Sequence, residues 1–326
     1  MNSQKKEPNN IGFDTYLIDV NLYRPRLAAC YLIKNSDELA LIDCGTKHSC
    51  NQILSTIKMI GASVNQVRWI IPTHVHLDHA SGAGKLIQIF PKATIISHIK
   101  GAPHLINPQK LEASAIAVYG KKSFEKNFGN LIPIDEKKII AAENNQSFEF
   151  GTSKLTFIDT PGHANHHGSI FDQQSNFLFT GDSFGLGYQE FFENSLKKMP
   201  FIVASTSPVG FDPQAWATSI DRMLKYEPDS ICMTHFSKYN NPKKLAPMLL
   251  ESINAHVEIA LKEEDADFSG RINRILKSLK EYYVGHAKKG HTMSEKEIYE
   301  LLKMDMHLNA QGLDIWLQRR SKYIKN

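Results

Sequence analysis

Directly after the apolar run Val67-Arg68-Trp69-Ile70-Ile71, which Pro72 stops, the chain places His74, His76, Asp78 and His79, three imidazoles and a carboxylate within six positions. The β-branched run reads as a buried strand, and the spacing of Leu86, Ile87 and Phe90 predicts a helix from Ala80 to Phe90. The histidines therefore sit on a turn between the C-terminal end of a strand and the start of a helix, the crevice in which α/β proteins place ligands. Without a metal, three crowded imidazoles would repel one another when protonated and would need many hydrogen-bond partners when buried. Neutral imidazole nitrogens and carboxylate oxygens are ligands for zinc or iron at roughly 2.0–2.2 Å. His74 and His76 alternate in an extended segment, so both point the same way and can share one ion. Asp78 and His79 follow on the turn, where they can face a neighbouring ion.

The flanking chain alternates strands and helices. Asp14 to Val20, Ala28 to Ile33 and Leu39 to Asp43 predict a three-stranded meander, with Asn35-Ser36-Asp37 as a turn. Helical spacing at Ile53, Ile57 and Ile60 follows, and Ala93 to Ser97 is a further strand. This βαβ-like order supports an α/β sandwich. The stretch 98–128 reads as mainly helical, and its His98 and His104 read as packed or hydrogen-bonded. A second set of strands is predicted over 147–150, 155–159, 169–172 and 177–180, and a last one over 230–234. Thr160-Pro161-Gly162-His163 ends one of these and Thr180-Gly181-Asp182 another. The aromatic segment 183–210 is read equally as a substrate-pocket wall or as packing.

Asp212-Pro213 marks the N-cap and first turn of a helix through Trp216, Ile220 and Leu224. Beyond Asn240 the pattern turns helical, over 242–262, 270–283, 294–302 and 310–323, with Ser294-x-x-Glu297 as a capping box. We expect a metal-binding domain over 11–240 and a helical C-terminal region over 241–326.

Charge and cysteine usage exclude several classes. A net charge of +4, spread along the chain, makes no nucleic-acid stripe. The N-terminal ten residues are polar, no apolar run reaches membrane-spanning length, and a cytoplasmic protein is expected. Cys30, Cys44, Cys50 and Cys232 have no CxxC spacing and read as reduced thiols. Gly82-Ala83-Gly84-Lys85 lacks the spacing of a phosphate loop.

His74-x-His76-x-Asp78-His79 resembles the HxHxDH signature of the metallo-β-lactamase superfamily. Asp43, His163, Asp182 and His235 match four further family motifs in the family's order. The resemblance implies a four-layer αββα sandwich and a dinuclear centre of iron or zinc. In it His74, His76 and His163 hold one ion, Asp78, His79 and His235 the other, and Asp182 bridges them. A carboxylate can bind two ions at once, as an imidazole nitrogen cannot. Two ions roughly 3.5–4 Å apart would share a hydroxide nucleophile.

His167 occupies the place of a second histidine common in the glyoxalase II-like members and is expected to be a hydrogen-bond partner behind the ligands rather than a ligand, and His166 is expected in solvent. His76, where flavodiiron oxidases commonly carry glutamate, disfavours oxygen reduction. His79 and Asp182 argue against lactam cleavage, and no glycine-rich exosite arm of the tRNA-processing nucleases is seen. The similarity is greatest to glyoxalase II-like hydrolases, with Asp182-Ser183-Phe184-Gly185 after the fourth motif. We expect a metal-dependent hydrolase of a small ester, thioester or phosphodiester, with Asp78 and Asp182 catalytic. A di-iron oxygen- or signal-sensing protein is the alternative. The apolar helical tail suits a homodimer.

Overall fold

Strand propensity and turn chemistry place nearly every element of the first half of the chain. The computed structural model describes residues 7–206, 208 and 210–324, so Ser207 and Val209 of the aromatic segment lie outside the described residues, as do 1–6. A first sheet runs, in spatial order, β1 (Asn9–Asn10), β2 (Thr15–Asp19), β3 (Ala29–Asn35), β4 (Glu38–Ile42), β5 (Val67–Ile71), β6 (Thr94–His98) and β7 (Ile139–Ala142). The first four are an antiparallel meander and the last four are parallel. Helices such as Cys50–Met59 and Ala83–Ile89 make the crossovers that parallel strands require.

The second sheet comprises β8 (Gln146–Phe150), β9 (Ser153–Asp159), β10 (Gly168–Asp172), β11 (Phe177–Gly181), β12 (Ser230–Met233) and β13 (Ser237–Asn240) in consecutive order. Only β11 and β12 are parallel neighbours in it. The two sheets face each other across an aromatic core. Tyr31 packs edge-on to Phe179, with centroids 5.3 Å apart, and its hydroxyl donates to the Met233 carbonyl at 2.6 Å. Trp69 meets Phe148 and donates to the Glu149 carbonyl at 3.0 Å.

The chain forms two compact units. The first contains both sheets: the chain up to Asp159, His166–Gly181 and Tyr226–Asn240. The second contains Thr160–Asn165, Asp182–Lys225 and the chain from Asn241 on. In the second unit the Asp212 carboxylate caps Pro213–Leu224 by accepting from the Gln214 and Ala215 amides, as its sequence predicts. The expected capping box is also present: Ser294 N–H donates to Glu297, and Glu297 N–H donates back to the Ser294 hydroxyl. One expectation fails here. The helices predicted over 294–302 and 310–323 are a single helix, Glu295–Ile324. No breaker separates them, and Ile298, Leu302, Met306, Ala310, Leu313 and Leu317 form one buried stripe at steps of three and four. Among the described residues no helix is long and apolar enough to cross a membrane.

His256, fully buried in helix Pro242–Leu261, is held neutral. Burial pushes its pKa down to about 4. Between pH 6.5 and 4 the unfolded chain takes up a proton that the folded chain refuses, so stability falls as the solution is acidified. The expected loss from pH 7 to pH 4 is about 3 kcal/mol. Urea unfolding of metal-free protein checks this, with the corresponding part of the slope absent in His256→Gln.

Candidate metal centre

Parallel pairing sets the first part of the site. Because β4 and β5 run side by side in parallel, their C-terminal ends are adjacent, and Asp43 beyond β4 meets Thr73 beyond β5. Asp43 is buried and accepts four hydrogen bonds: Thr73 N–H at 2.8 Å, Thr73 Oγ1–H at 2.9 Å, Thr234 Oγ1–H at 2.6 Å and His79 Nδ1–H at 2.8 Å. Its φ of +57° lies in the left-handed region that aspartate tolerates better than most residues.

Asp78 and His79 lie not on an open turn but in a one-turn helix, Leu77–Ala80, and the expected helix resumes only at Ala83. The break is at Gly82, where a Cβ would stand 2.5 Å from the Cys44 carbonyl oxygen. Gly82 thus lets the His loop close against the Asp43 loop, where its N–H donates to the Gly45 carbonyl.

The hydrogen-bond partners fix the histidine tautomers. A carbonyl or carboxylate oxygen only accepts, so the ring nitrogen facing it carries the proton and the other nitrogen carries a lone pair. His79 donates from Nδ1 to Asp43, and His235 donates from Nδ1 to the Leu27 carbonyl at 2.7 Å. Thr73 spends its hydroxyl proton on Asp43, so at 3.2 Å it accepts from His74 Nδ1. All three rings therefore present Nε2 lone pairs. His79 Nε2 stands 3.6 Å and His235 Nε2 3.1 Å from Asp78 Oδ2, while His74 Nε2 is 2.7 Å from His76 Nδ1.

Two ligands bound tetrahedrally at about 2.1 Å stand about 3.4 Å apart. The His79 and His235 lone pairs face the Asp78 carboxylate, where a cation satisfies all three, whereas His74 Nε2 accepts a hydrogen bond from His76 Nδ1–H. The Asp78, His79 and His235 ligand atoms all lie within 4.8 Å of one another, so one ion can serve all three. The donor set thus fits a metal.

In the second unit His163 is turned in the same way. Its Nδ1 donates to the Ser205 carbonyl at 2.6 Å, and its Nε2 stands 3.4 Å from Asp182 Oδ2, both side chains being buried. The loop bearing it is seated tightly: a Cβ on Gly162, whose φ is +142°, would fall 2.3 Å from Trp216 Cβ.

The structure thus brings together His74, His76, Asp78, His79 and His235 in the first unit, and His163 and Asp182 in the second. His167 is buried with its ring 4.7 Å from that of His74. His166 is not in solvent as expected. It is half-buried, with its ring 5.6 Å from His76 and 6.1 Å from His104, because helix Ala102–Ile106 brings His104 against it. Burial and Lys110 push the His104 pKa down. His98 is hydrogen-bonded, 2.9 Å from Asp159. The orienting threonines were missed, although each directly precedes a histidine, as Thr73-His74 and Thr234-His235.

The model of the metallo-β-lactamase superfamily matches residues 23–235, a span that holds every residue of this arrangement. The chain belongs to the metallo-β-lactamase superfamily. It is 26% identical over 261 residues to a metallo-β-lactamase fold-containing protein of Sulfurisphaera tokodaii, covering 78% of this chain and 87% of that protein. The crystal structure of an archaeal superfamily protein from Sulfolobus tokodaii has a TM-score of 0.60 at 25% identity, covering 85% of this chain and 99% of that one. A family protein from Thermus thermophilus has a TM-score of 0.63 at 17% identity, covering 96% of this chain and 95% of the other. A probable metallo-hydrolase of Methanocaldococcus jannaschii is 31% identical over 160 residues, 48% of this chain and 68% of that protein. The superfamily's α/β sandwich with C-terminal helices, as the sequence led us to expect, is therefore the fold of this chain.

Proposed function

We propose that this superfamily member is a dinuclear metal-dependent hydrolase of a small ester, thioester or phosphodiester. The observation that carries the reading is the Asp78 carboxylate faced by the Nε2 atoms of His79 and His235, each ring turned by an acceptor on its far side. The superfamily match and the relative described as a probable metallo-hydrolase support it. In this reading His74, His76 and His163 would hold one ion and Asp78, His79 and His235 the second, with Asp182 serving as a ligand to both. The ions are iron or zinc, since imidazole and carboxylate serve both. When bound, the pair supplies a hydroxide at near-neutral pH by drawing the pKa of its water toward about 7.

The protein's own groups do the rest. Asp43 and the Leu27 carbonyl keep the lone pairs of His79 and His235 turned inward, as outer partners of metal-binding histidines do. Asp78, with its side chain 24% exposed, is in contact with solvent and can pass a proton outward. Asp182, buried at 4% exposure, keeps its carboxylate shielded from bulk water.

The test is a panel of ester, thioester and phosphodiester substrates assayed before and after chelation. We expect turnover of one class that chelation abolishes and metal restores. Turnover that is indifferent to chelation, or none with any class, contradicts the proposal.

A further inference from the structure

The C-terminal helices form a clamp on one short loop. Helix Glu295–Ile324 buries Asn309 at 1% exposure, and its side chain grips the chain on both sides of Ser205. The Thr206 N–H donates to Asn309 Oδ1 at 2.7 Å, and Asn309 Nδ2 donates to the Ala204 carbonyl at 3.1 Å. The Thr206 hydroxyl donates to the Asn309 carbonyl at 3.1 Å. From the neighbouring helix Pro242–Leu261, the Ser252 hydroxyl accepts from the Ala204 N–H at 2.9 Å.

The amide cannot rotate freely, because its remaining proton is also committed. Asn309 Nδ2 donates to the Tyr283 hydroxyl at 2.7 Å, which in turn lies 2.6 Å from His256 Nε2, and His256 Nδ1 donates to the Ser252 carbonyl at 2.6 Å. Each partner's donor and acceptor capacity is thereby assigned: the tyrosine accepts from Asn309 and gives its proton to His256. A buried network satisfied in this way holds a single geometry, because any rearrangement strands a polar group in the interior.

The residue between the two gripped positions is Ser205, and its carbonyl accepts the His163 Nδ1 proton at 2.6 Å. We infer that Asn309 is a positioning residue for His163. By fixing the peptide units on both sides of Ser205 it aims the carbonyl that sets the His163 tautomer and turns the Nε2 lone pair toward Asp182. The inference rests on the reading of His163 as a metal ligand and gives the C-terminal helices a part in building the centre.

The experiment uses the full chain, with two readouts. Nitrogen-15 histidine NMR of metal-free protein reports the His163 tautomer, and competition with a chromophoric chelator reports zinc affinity. In Asn309→Ala the Nδ1–H form of His163 is expected to give way to a tautomer mixture. Zinc affinity is expected to fall by about 10- to 100-fold, the usual cost of losing an outer partner of a metal-binding histidine. Leu302→Ala, a cavity variant in the same helix, serves as the stability control and is expected to keep both readouts at wild-type values. Ser252→Ala, which loosens the clamp from its other side, is expected to shift both in the same direction by less, and decides the matter if Asn309→Ala does not fold.

A wild-type tautomer in the clamp variants, or equal losses in Leu302→Ala, would overturn the inference. Should His163→Ala leave zinc affinity unchanged, the metal reading of His163 fails, while the tautomer readout still decides the positioning.

Discussion

Asp182→Ala is expected to lower kcat/KM by about 10³-fold, or about 4 kcal/mol of transition-state stabilisation. Asp182 is 4% exposed and has one oxygen 3.4 Å from His163 Nε2. In the proposed centre it is the carboxylate assigned to both ions, so its loss would release an ion and with it the nucleophile. Asp182→Asn keeps the volume but exchanges one anionic oxygen for a donor amide, and is expected to fall nearly as far. Bis(p-nitrophenyl) phosphate and a model thioester are suitable substrates, with metal in excess so that simple affinity loss is separated from loss of chemistry. Undiminished turnover in Asp182→Ala would remove the dinuclear mechanism.

Asp43 separates stability from ligand orientation. Asp43→Ala removes the acceptor of four donors in a buried site. Leaving such groups without partners is expected to cost about 3–5 kcal/mol, read as a lower urea midpoint for the metal-free protein. Asp43→Asn tolerates the left-handed backbone at this position and keeps the shape. Its amide, however, has only one acceptor. With the oxygen serving the fixed Thr73 N–H, the NH₂ group faces His79 Nδ1, which must then give up its proton and place it on Nε2. The lone pair aimed at Asp78 disappears. Asp43→Asn is therefore expected to lose less stability than Asp43→Ala and still weaken metal binding by about 10- to 100-fold. Equal metal affinity in Asp43→Asn and wild type would show that the Asp43 contact does not set the His79 ligand atom.

The sequence shows most clearly what side-chain spacing encodes. The strand at Val67–Ile71, the stop at Pro72 and the cap at Asp212 all stand where local chemistry places them. The donors His74, His76, Asp78, His79 and His235 are legible as residue types because imidazoles rarely crowd without purpose. The Leu27 and Ser205 carbonyls that set two of the tautomers are not legible, since every residue has a carbonyl and only the folded chain aims it. The role of Asp43 emerges from the parallel pairing of β4 with β5, a non-local fact. β13, Ser237–Asn240, escapes because it is polar and paired only at a sheet edge. The single long C-terminal helix escapes because the span 303–309 between the two predicted helices carries Asp305 and Asn309, whose burial shows only in the folded chain, where Asp305 accepts from Tyr188.

Elemental analysis of the wild-type chain, purified without added metal and quantified against amino-acid content, addresses the centre itself. A centre with all seven ligands is expected to carry about two equivalents of iron and zinc combined per chain, falling to one or fewer in Asp182→Ala. A wild-type protein that carries no transition metal, and takes up none when supplied, would contradict that expectation.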